Sequence, residues 1–220
     1  MSLLHKSPVT PKSAATSNHS ADHTAMGMDE GRLWDAFRRG SEEAFITIYK
    51  QYANILFNFG CQLTPDRDLV KDILQDFFIY LRHKRSHLGK TDAIKPYLIK
   101  SFKRRIVAAL KKHHKYFSDE DGFEFKQFPV ELSHETVYIN RQIDREQLER
   151  LNGALQQLDS REREAIYYFY FEGLSYQEIA QVFEFSHVSS ARRLVYRGLA
   201  HLRKFFVVYL LASFWGLKEW

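Results

Sequence analysis

The side chains best suited to chemistry in this chain of 220 residues are cations, and they fall in two runs that contain no acid. The first lies between Phe185 and Lys204 and holds Arg192, Arg193, Arg197, Arg203 and Lys204, with Ser189 and Ser190 near its front. The planar fork of arginine grips phosphate, or the edge of a guanine, through two parallel hydrogen bonds. Serine hydroxyls and the free N–H groups of a helix start add donors for an anion. The second run holds Lys95, Lys100, Lys103, Arg104, Arg105, Lys111, Lys112 and Lys115, interleaved with Tyr97 and Phe102. A basic helix with aromatic rings suits contact with a nucleic-acid backbone and stacking on unpaired bases. The plainer alternative for the first run is a helical hairpin with a solvated face, but such faces usually mix signs. For the second run it is that the rings belong to a core. Phe102 fits a buried stripe, and periodicity leaves Tyr97 open between the two readings.

The acids have their own pattern. Asp68, Asp72 and Asp76 recur at four, which puts them on one helix face, with Gln75 beside them. One face does not converge enough ligands for a metal. A docking surface for a basic partner, or a solvated face, remains. His83 and His87 have the spacing of a zinc chelate, but no third ligand accompanies them. His113 and His114 end a basic segment and complement its dipole. The chain has no glycine-rich phosphate loop, nucleophile elbow or HExxH. The expectation is a protein that is not an enzyme and needs neither metal nor cofactor.

These residues require helices to hold them. Residues 32–116 show helical spacing throughout. A short amphipathic helix ends at Gly40, and Ser41 caps the next, with Glu42 and Glu43 in its first turn. Phe45, Ile48, Tyr49, Tyr52, Ile55, Leu56 and Phe59 form one stripe along it. Thr64-Pro65 reads as the start of a third helix, buried through Leu69, Ile73, Leu74, Phe77, Phe78 and Leu81. A fourth helix runs from about Ala93 to Lys115, with Pro96 in its first turn and an apolar stripe of Leu98, Ile99, Phe102, Ile106, Val107 and Leu110. A further helical unit follows, from about Asn140, with Asp159/Glu162 and Ser175/Glu178 spaced as capping boxes. A short helix from Ser175 to Phe183, a tight break and a longer helix from about His187 have the form of a helix-turn-helix. Ala180, four residues before the break, is small enough for a close crossing. The fold class expected is all-α: two helical domains joined by a flexible linker.

The expected division is a disordered tail over 1–28, a first domain over 29–116, a linker over 117–140, a second domain over 141–204 and an apolar tail over 205–220. The first tail is rich in Ser, Thr, Ala, His and Pro, and Met26 or Met28 is an alternative start. The linker is acidic but carries Phe117, Phe123, Phe125 and Phe128. The apolar tail is short of the roughly 18–20 residues needed to span a bilayer, so it reads as a packing extension of the last helix. A net charge of +5 fits a polyanionic partner, and the lone Cys61 excludes an intrachain disulfide and fits a reducing compartment. A cytoplasmic protein is expected.

The order of these pieces resembles the small two-domain extracytoplasmic-function (ECF) sigma factors of bacterial RNA polymerase, over about residues 32–204. "AFITIYKQYANILFNFG" is similar to the family's region 2.1, and "DLVKDILQDFFIYLR" to its segment that docks on the polymerase clamp. "IKPYLIKSFKRRIVAALKK" resembles the reader of the minus-ten element. "LQQLDSREREAIYYFYFEGLSYQEIAQVF" and "VSSARRLVYRGLAHLRK" resemble region 4, with its minus-35 recognition helix. The resemblance implies core-polymerase contacts at Asp72, Gln75, Asp76 and Phe78. It implies minus-ten contacts at Tyr97, Lys100, Lys103 and Arg104. The minus-35 contacts would be Ser189, Ser190, Arg192, Arg193 and Arg197. The partners implied are core RNA polymerase, promoter DNA and an anti-sigma factor. Two departures stand out: the turn reads Phe183-Glu184-Phe185-Ser186 where the family has Leu-Gly-hydrophobe-Ser, and Ala93-Ile94-Lys95-Pro96 replaces a Phe-x-x-Trp-Leu stretch. The alternatives are a stand-alone helix-turn-helix regulator, a helical protein-interaction module and a nucleic-acid enzyme; the last lacks a convergent catalytic cluster.

Overall fold

The computed structural model describes residues 30–117 and 145–216, with side chains over 30–112 and 149–205. The expected N-terminal tail and the linker beyond Phe117 lie outside the described residues, as do the side chains of His113 and His114. Among the described residues every regular element is helical. In order they are α1 (residues 30–38), α2 (Glu42–Cys61), α3 (Arg67–Lys84), a 3-10 turn (Arg85–His87) and α4 (Ile94–Phe117). After the undescribed segment come α5 (Arg145–Gln156), α6 (Ser160–Tyr170), α7 (Tyr176–Val182) and α8 (Val188–Gly216).

Helices α1–α4 form one bundle. Its centre is Trp34, Phe37, Ile48, Tyr52, Leu56, Phe59, Val70, Phe77, Leu81, Leu98, Ile99, Phe102 and Ile106, all essentially without exposure. The helical stripes read from the sequence supply these apart from Trp34, Phe37 and Val70, because a 3.6-residue period aligns them on one face. Tyr49 departs from its stripe: it is exposed at the rim, edge-on to Phe78 at 4.8 Å. Backbone at residue 60 lets the three long helices cross closely. A Cβ added to Gly60 would lie 2.6 Å from Val70 Cγ1 and 3.0 Å from Ile106 Cδ1.

The helix starts are settled by side chains. Ala44 N–H donates to Ser41 Oγ at 3.1 Å, as the sequence implied. The third helix begins two residues later than Thr64-Pro65 suggests. Asp66 is its cap, accepting from Leu69 N–H at 2.9 Å, while Thr64 Oγ1 accepts from Asp66 N–H and holds the approach. A carboxylate is as good a cap as a hydroxyl and here has the clear line to the first turn. At α4 the partner is remote: Ile94 N–H donates to Glu30 Oε2 at 2.8 Å, and the other Glu30 oxygen accepts from Tyr52 O–H at 2.7 Å. Trp34 Nε1–H and Arg38 Nε–H donate to the carbonyls of Gly89 and Leu88, which pins the loop ahead of α4 to α1.

In the second bundle α6 and α7 pack on α8. The Ser175/Glu178 capping box forms in both directions. The Asp159/Glu162 box does not. Asp159 caps α6 through Arg161 N–H, but the Glu162 carboxylate turns to α8, where Arg197 Nε–H donates to it and His201 Nδ1 lies 2.8 Å away. A carboxylate only 2% exposed is better satisfied by cations than by one backbone N–H. Buried Arg163 closes the end of α5, donating to the carbonyls of Leu155, Gln156 and Leu158. The expected continuation of the last helix into the apolar tail is present as backbone to Gly216.

Replacing Gly60 by valine forces a branched side chain into the α2–α3–α4 crossing. The expected result is a loss of about 1–3 kcal/mol of unfolding free energy, read from a denaturant midpoint at unchanged helix content. An unaltered midpoint would mean that the crossing can open without cost.

Candidate nucleic-acid interface

The helix-turn-helix consists of α7, a break over residues 183–187 and α8. The break is held by backbone. Phe185 N–H donates to Ala180 carbonyl at 2.9 Å, and Glu184 N–H to Gln181 carbonyl at 3.3 Å. This is the six-to-one and five-to-two pairing of a Schellman motif, which needs a left-handed residue between. Glu184 takes that conformation, with φ 59°, where glycine is the unstrained choice. Phe183 and Phe185 stack with centroids 5.3 Å apart, and the Arg161 guanidinium lies over both rings.

The break delivers α8 with Val188 as its first residue, which fixes the register of the candidate readers. Ser189, Arg192 and Arg193 are exposed on the first two turns and Ser190 is half-buried. The Arg192 guanidinium rests over the Tyr176 ring at 5.4 Å, and Tyr176 stacks on Tyr196. That shelf narrows the rotamers open to Arg192 before any ligand arrives. Arg197 is placed differently. It is tied to buried Glu162, so its first role is to hold α8 on α6.

In the first bundle Asp72, Gln75 and Asp76 are all exposed on one face of α3. Phe78 is 3% exposed and lies in the core, edge-on to Phe77 and Tyr49. The apolar side chains that reach the surface nearby are Ile79 and Tyr80, with Ile46 and Tyr49 on α2. Asp68, on the first turn, is paired with Lys71 at 2.8 Å, and that ammonium holds its carboxyl below the usual range. His83 and His87 are exposed, and among the described residues no three His, Cys, Asp or Glu side chains gather as a metal site.

Much of the basic face of α4 is engaged, although the side chains of Arg104, Lys111 and Lys112 remain exposed. It meets the second bundle. Lys95 pairs with Glu172 at 2.8 Å, Lys100 with Glu184 at 2.9 Å, Lys103 with Glu164, and Arg104 with Glu184. Glu164 is 5% exposed and also accepts from Tyr168 O–H at 2.6 Å, while Glu172 accepts from Tyr167 O–H at 3.0 Å. Phe59 of α2 packs on both tyrosine rings. Tyr97 is half-buried, with its ring edge-on to Trp34 at 4.9 Å. A cleft of about 550 Å³ remains beside this seam, lined by Lys100, Lys103, Arg104, Lys111, Arg161 and Glu184 among others. The sequence placed cations on α4 but gave no sign that Glu164, Glu172 and Glu184 would face them.

The architecture and the sequence agree with one class of protein. Residues 148–202 match the family described as sigma-70, region 4. The chain is 25% identical over 162 residues to the ECF RNA polymerase sigma factor SigM of Bacillus subtilis (strain 168), covering 71% of this chain and 91% of the relative. Its fold matches two solved structures. One is the sigma factor RpoE in complex with the anti-sigma factor NepR from Bartonella quintana, with a TM-score of 0.54 at 20% identity, covering 74% of this chain and 97% of that one. The other is CnrH in complex with the cytosolic domain of CnrY, with a TM-score of 0.54 at 19% identity over 81% of this chain and 97% of that one. The second bundle is therefore a sigma-70 region 4 module. Over most of its length the chain is thus similar in sequence to an ECF RNA polymerase sigma factor and in fold to two solved structures.

Two outcomes follow from the contacts. Arg197→Ala removes a partner of a buried carboxylate. It should lower stability by about 1–3 kcal/mol, whereas Arg193→Ala, on the exposed face, should leave the thermal midpoint near that of the parent. The second concerns alkaline pH. Burial first, and then the Glu164 and Glu172 charges, push the phenols of Tyr168 and Tyr167 far above the ordinary tyrosine value. Their folded values exceed their unfolded ones. Their contribution to stability is therefore complete below the unfolded tyrosine pKa and is lost as pH rises toward the folded values. Tyr52 is raised in the same way, by burial and then by Glu30, so absorbance at 295 nm should show at least three tyrosines that ionise only when the chain unfolds, and their appearance in the first native titration wave would contradict this.

Proposed function

We propose that this chain binds core RNA polymerase through the exposed α3 face, with Asp72, Gln75 and Asp76 meeting a basic partner surface and Phe78 setting the helix from behind. Ile79 and Tyr80 on the same helix would supply the apolar part of that contact. Lys100, Lys103 and Arg104 hold the phosphates of the separating strand at the minus-ten element, with Tyr97 as a stacking ring. Ser189, Ser190, Arg192 and Arg193 hold the minus-35 duplex, and Arg197 adds its free nitrogens at the edge of that surface. Residues 29–116 and 141–204 act as the two working domains, and the segment between them joins two separately weak sites by effective concentration. The protein has no chemistry of its own; polymerisation belongs to the core enzyme. It works in the cytoplasm, where core polymerase and promoter DNA are found, and an anti-sigma factor is a further partner, as it is for the similar RpoE.

The observation that carries this reading is the exposed, acid-free start of α8 in a region 4 module, with Arg192 already braced on Tyr176. Affinity for DNA should fall steeply with salt, because each phosphate contact releases a counterion. The direct test is transcription from promoter DNA by core polymerase with and without the chain. Promoter-dependent transcripts are expected only when both are present. Tight duplex binding by the chain alone, with no transcription when core is added, would favour a stand-alone regulator. Asp76→Lys should abolish co-purification with core at unchanged helix content, and undiminished capture of core would remove α3 as the docking face.

A further inference from the structure

We propose that the cleft between α4 and the start of α6 is a binding site for a small polyphosphate, the chemistry shared by inorganic tripolyphosphate and a nucleoside triphosphate. The cleft holds about 550 Å³ and lies where the two bundles meet. That volume falls within the roughly 300–1,000 Å³ of small-molecule sites. Such a site does not depend on the DNA contacts of either bundle.

Charge selects the ligand. Lys100, Lys103, Arg104 and Lys111 of α4 and Arg161 of α6 line the cleft. Among the described residues two carboxylates line it with them, Glu164 and Glu184. Both are already divided. Glu184 is shared by Lys100 and Arg104, and Glu164 by Lys103 and the Tyr168 hydroxyl. Among the described residues no carboxylate pairs with Lys111 or Arg161. Those two stand on helices of different bundles, and both are exposed. The cleft thus gathers five cations against two carboxylates, an excess of three charges. A single phosphate would answer part of that excess. A chain of linked phosphates carries several negative charges in a span short enough for the cleft, and the concave surface concentrates the field on it.

The walls suit such a ligand as well. The Arg161 guanidinium lies over the Phe183 ring at 5.7 Å and over Phe185 at 5.3 Å. Stacking occupies the face of the fork and leaves its edge N–H groups for phosphate oxygens. Lys103 Nζ lies 5.8 Å from the centre of the same Phe183 ring. Val107, Ala108, Val182 and Phe183 give the cleft apolar surface between its cations, which suits the flat part of a nucleotide. Glu184 is 54% exposed. Exposed ion pairs are weak, so its pairs with Lys100 and Arg104 yield to incoming phosphates. Glu164 is 5% exposed and keeps Lys103, which leaves Lys100, Arg104, Lys111 and Arg161 to hold the ligand.

The test is isothermal titration calorimetry on the full chain at physiological ionic strength, with tripolyphosphate, ATP and adenosine as probes. Tripolyphosphate and ATP should each bind one to a chain and raise its thermal midpoint, and adenosine should not bind. ATP binding more tightly than tripolyphosphate would give the apolar surface to the base and name a nucleotide as the ligand. Equal affinities would name the phosphate chain alone. Lys111→Gln and Arg161→Gln, neither of them among the proposed DNA contacts, should each weaken both phosphates by about threefold or more at unchanged helix content. Should loss of the Arg161 stack disturb the fold, Lys111→Gln carries the comparison. Lys50→Gln, at an exposed lysine that does not line the cleft, should have no effect. Failure of both phosphates to bind would overturn the site. So would affinities unmoved by Lys111→Gln, or lowered as much by Lys50→Gln.

Discussion

The structure depends on one seam, where the cations of α4 meet the carboxylates of the second bundle. Apolar contact alone would leave the docking of two helical bundles loosely determined, since Phe59 against Tyr167 and Tyr168 specifies proximity but little direction. Ion pairs specify direction. A buried carboxylate such as Glu164 has few acceptable positions, because an unpaired charge in that setting costs several kcal/mol. Lys103 and Tyr168 together satisfy it, and that fixes α6 relative to α4. Such a pair adds little net stability over an apolar equivalent. Its consequence is registry: one way to dock instead of several.

The same demand shapes α4 along its whole length. One face must be apolar to close the first bundle, and Leu98, Ile99, Phe102 and Ile106 lie there without exposure. The other face must carry enough positive charge for a polyanion. That face cannot be left beside a low-dielectric neighbour without countercharge, so any surface that packs on it has to be acidic. The second bundle is basic along the exposed start of α8 and acidic where it meets α4. Nothing in a recognition helix requires Glu164 or Glu172. They answer to the first bundle, and they make the two halves complementary although each has its own core.

Much of this was legible beforehand, for definite reasons. Periodicity reports the burial of long helices, so the stripes of α2, α3 and α4 and the all-helical class followed from spacing alone. Local caps such as Ser41 and the Ser175/Glu178 box were equally readable, because donor and acceptor are three residues apart. The misreadings share one cause, competition from a distant partner. Glu162 has the spacing of a capping residue but faces Arg197 and His201 of α8, more than thirty residues later. Arg197, expected as a DNA contact, also pairs with that carboxylate, a tie that its basic run does not announce. Glu30 caps α4 from 64 residues away, which no local pattern encodes. The sign of charge on a helix is visible in a sequence. What it faces is not, when the facing residues are 61 to 84 positions apart.

The turn at Glu184 shows how far local and distant demands can be separated. Backbone hydrogen bonds close the break between α7 and α8, so its geometry is satisfied whatever side chain stands at the left-handed position. Glycine would meet the conformational demand with less strain. A glutamate there costs the module some stability and does nothing for the crossing of its two helices, which Ala180 and the apolar contacts set. A departure from the unstrained residue at a position whose backbone is already satisfied points outward, to whatever the side chain reaches. Here it reaches Lys100 and Arg104 on the other bundle. The residue that makes the helix-turn-helix look irregular in sequence is thus the one that joins that module to the basic helix of the first bundle. Its weakness as an exposed ion pair fits it to let go when phosphates compete.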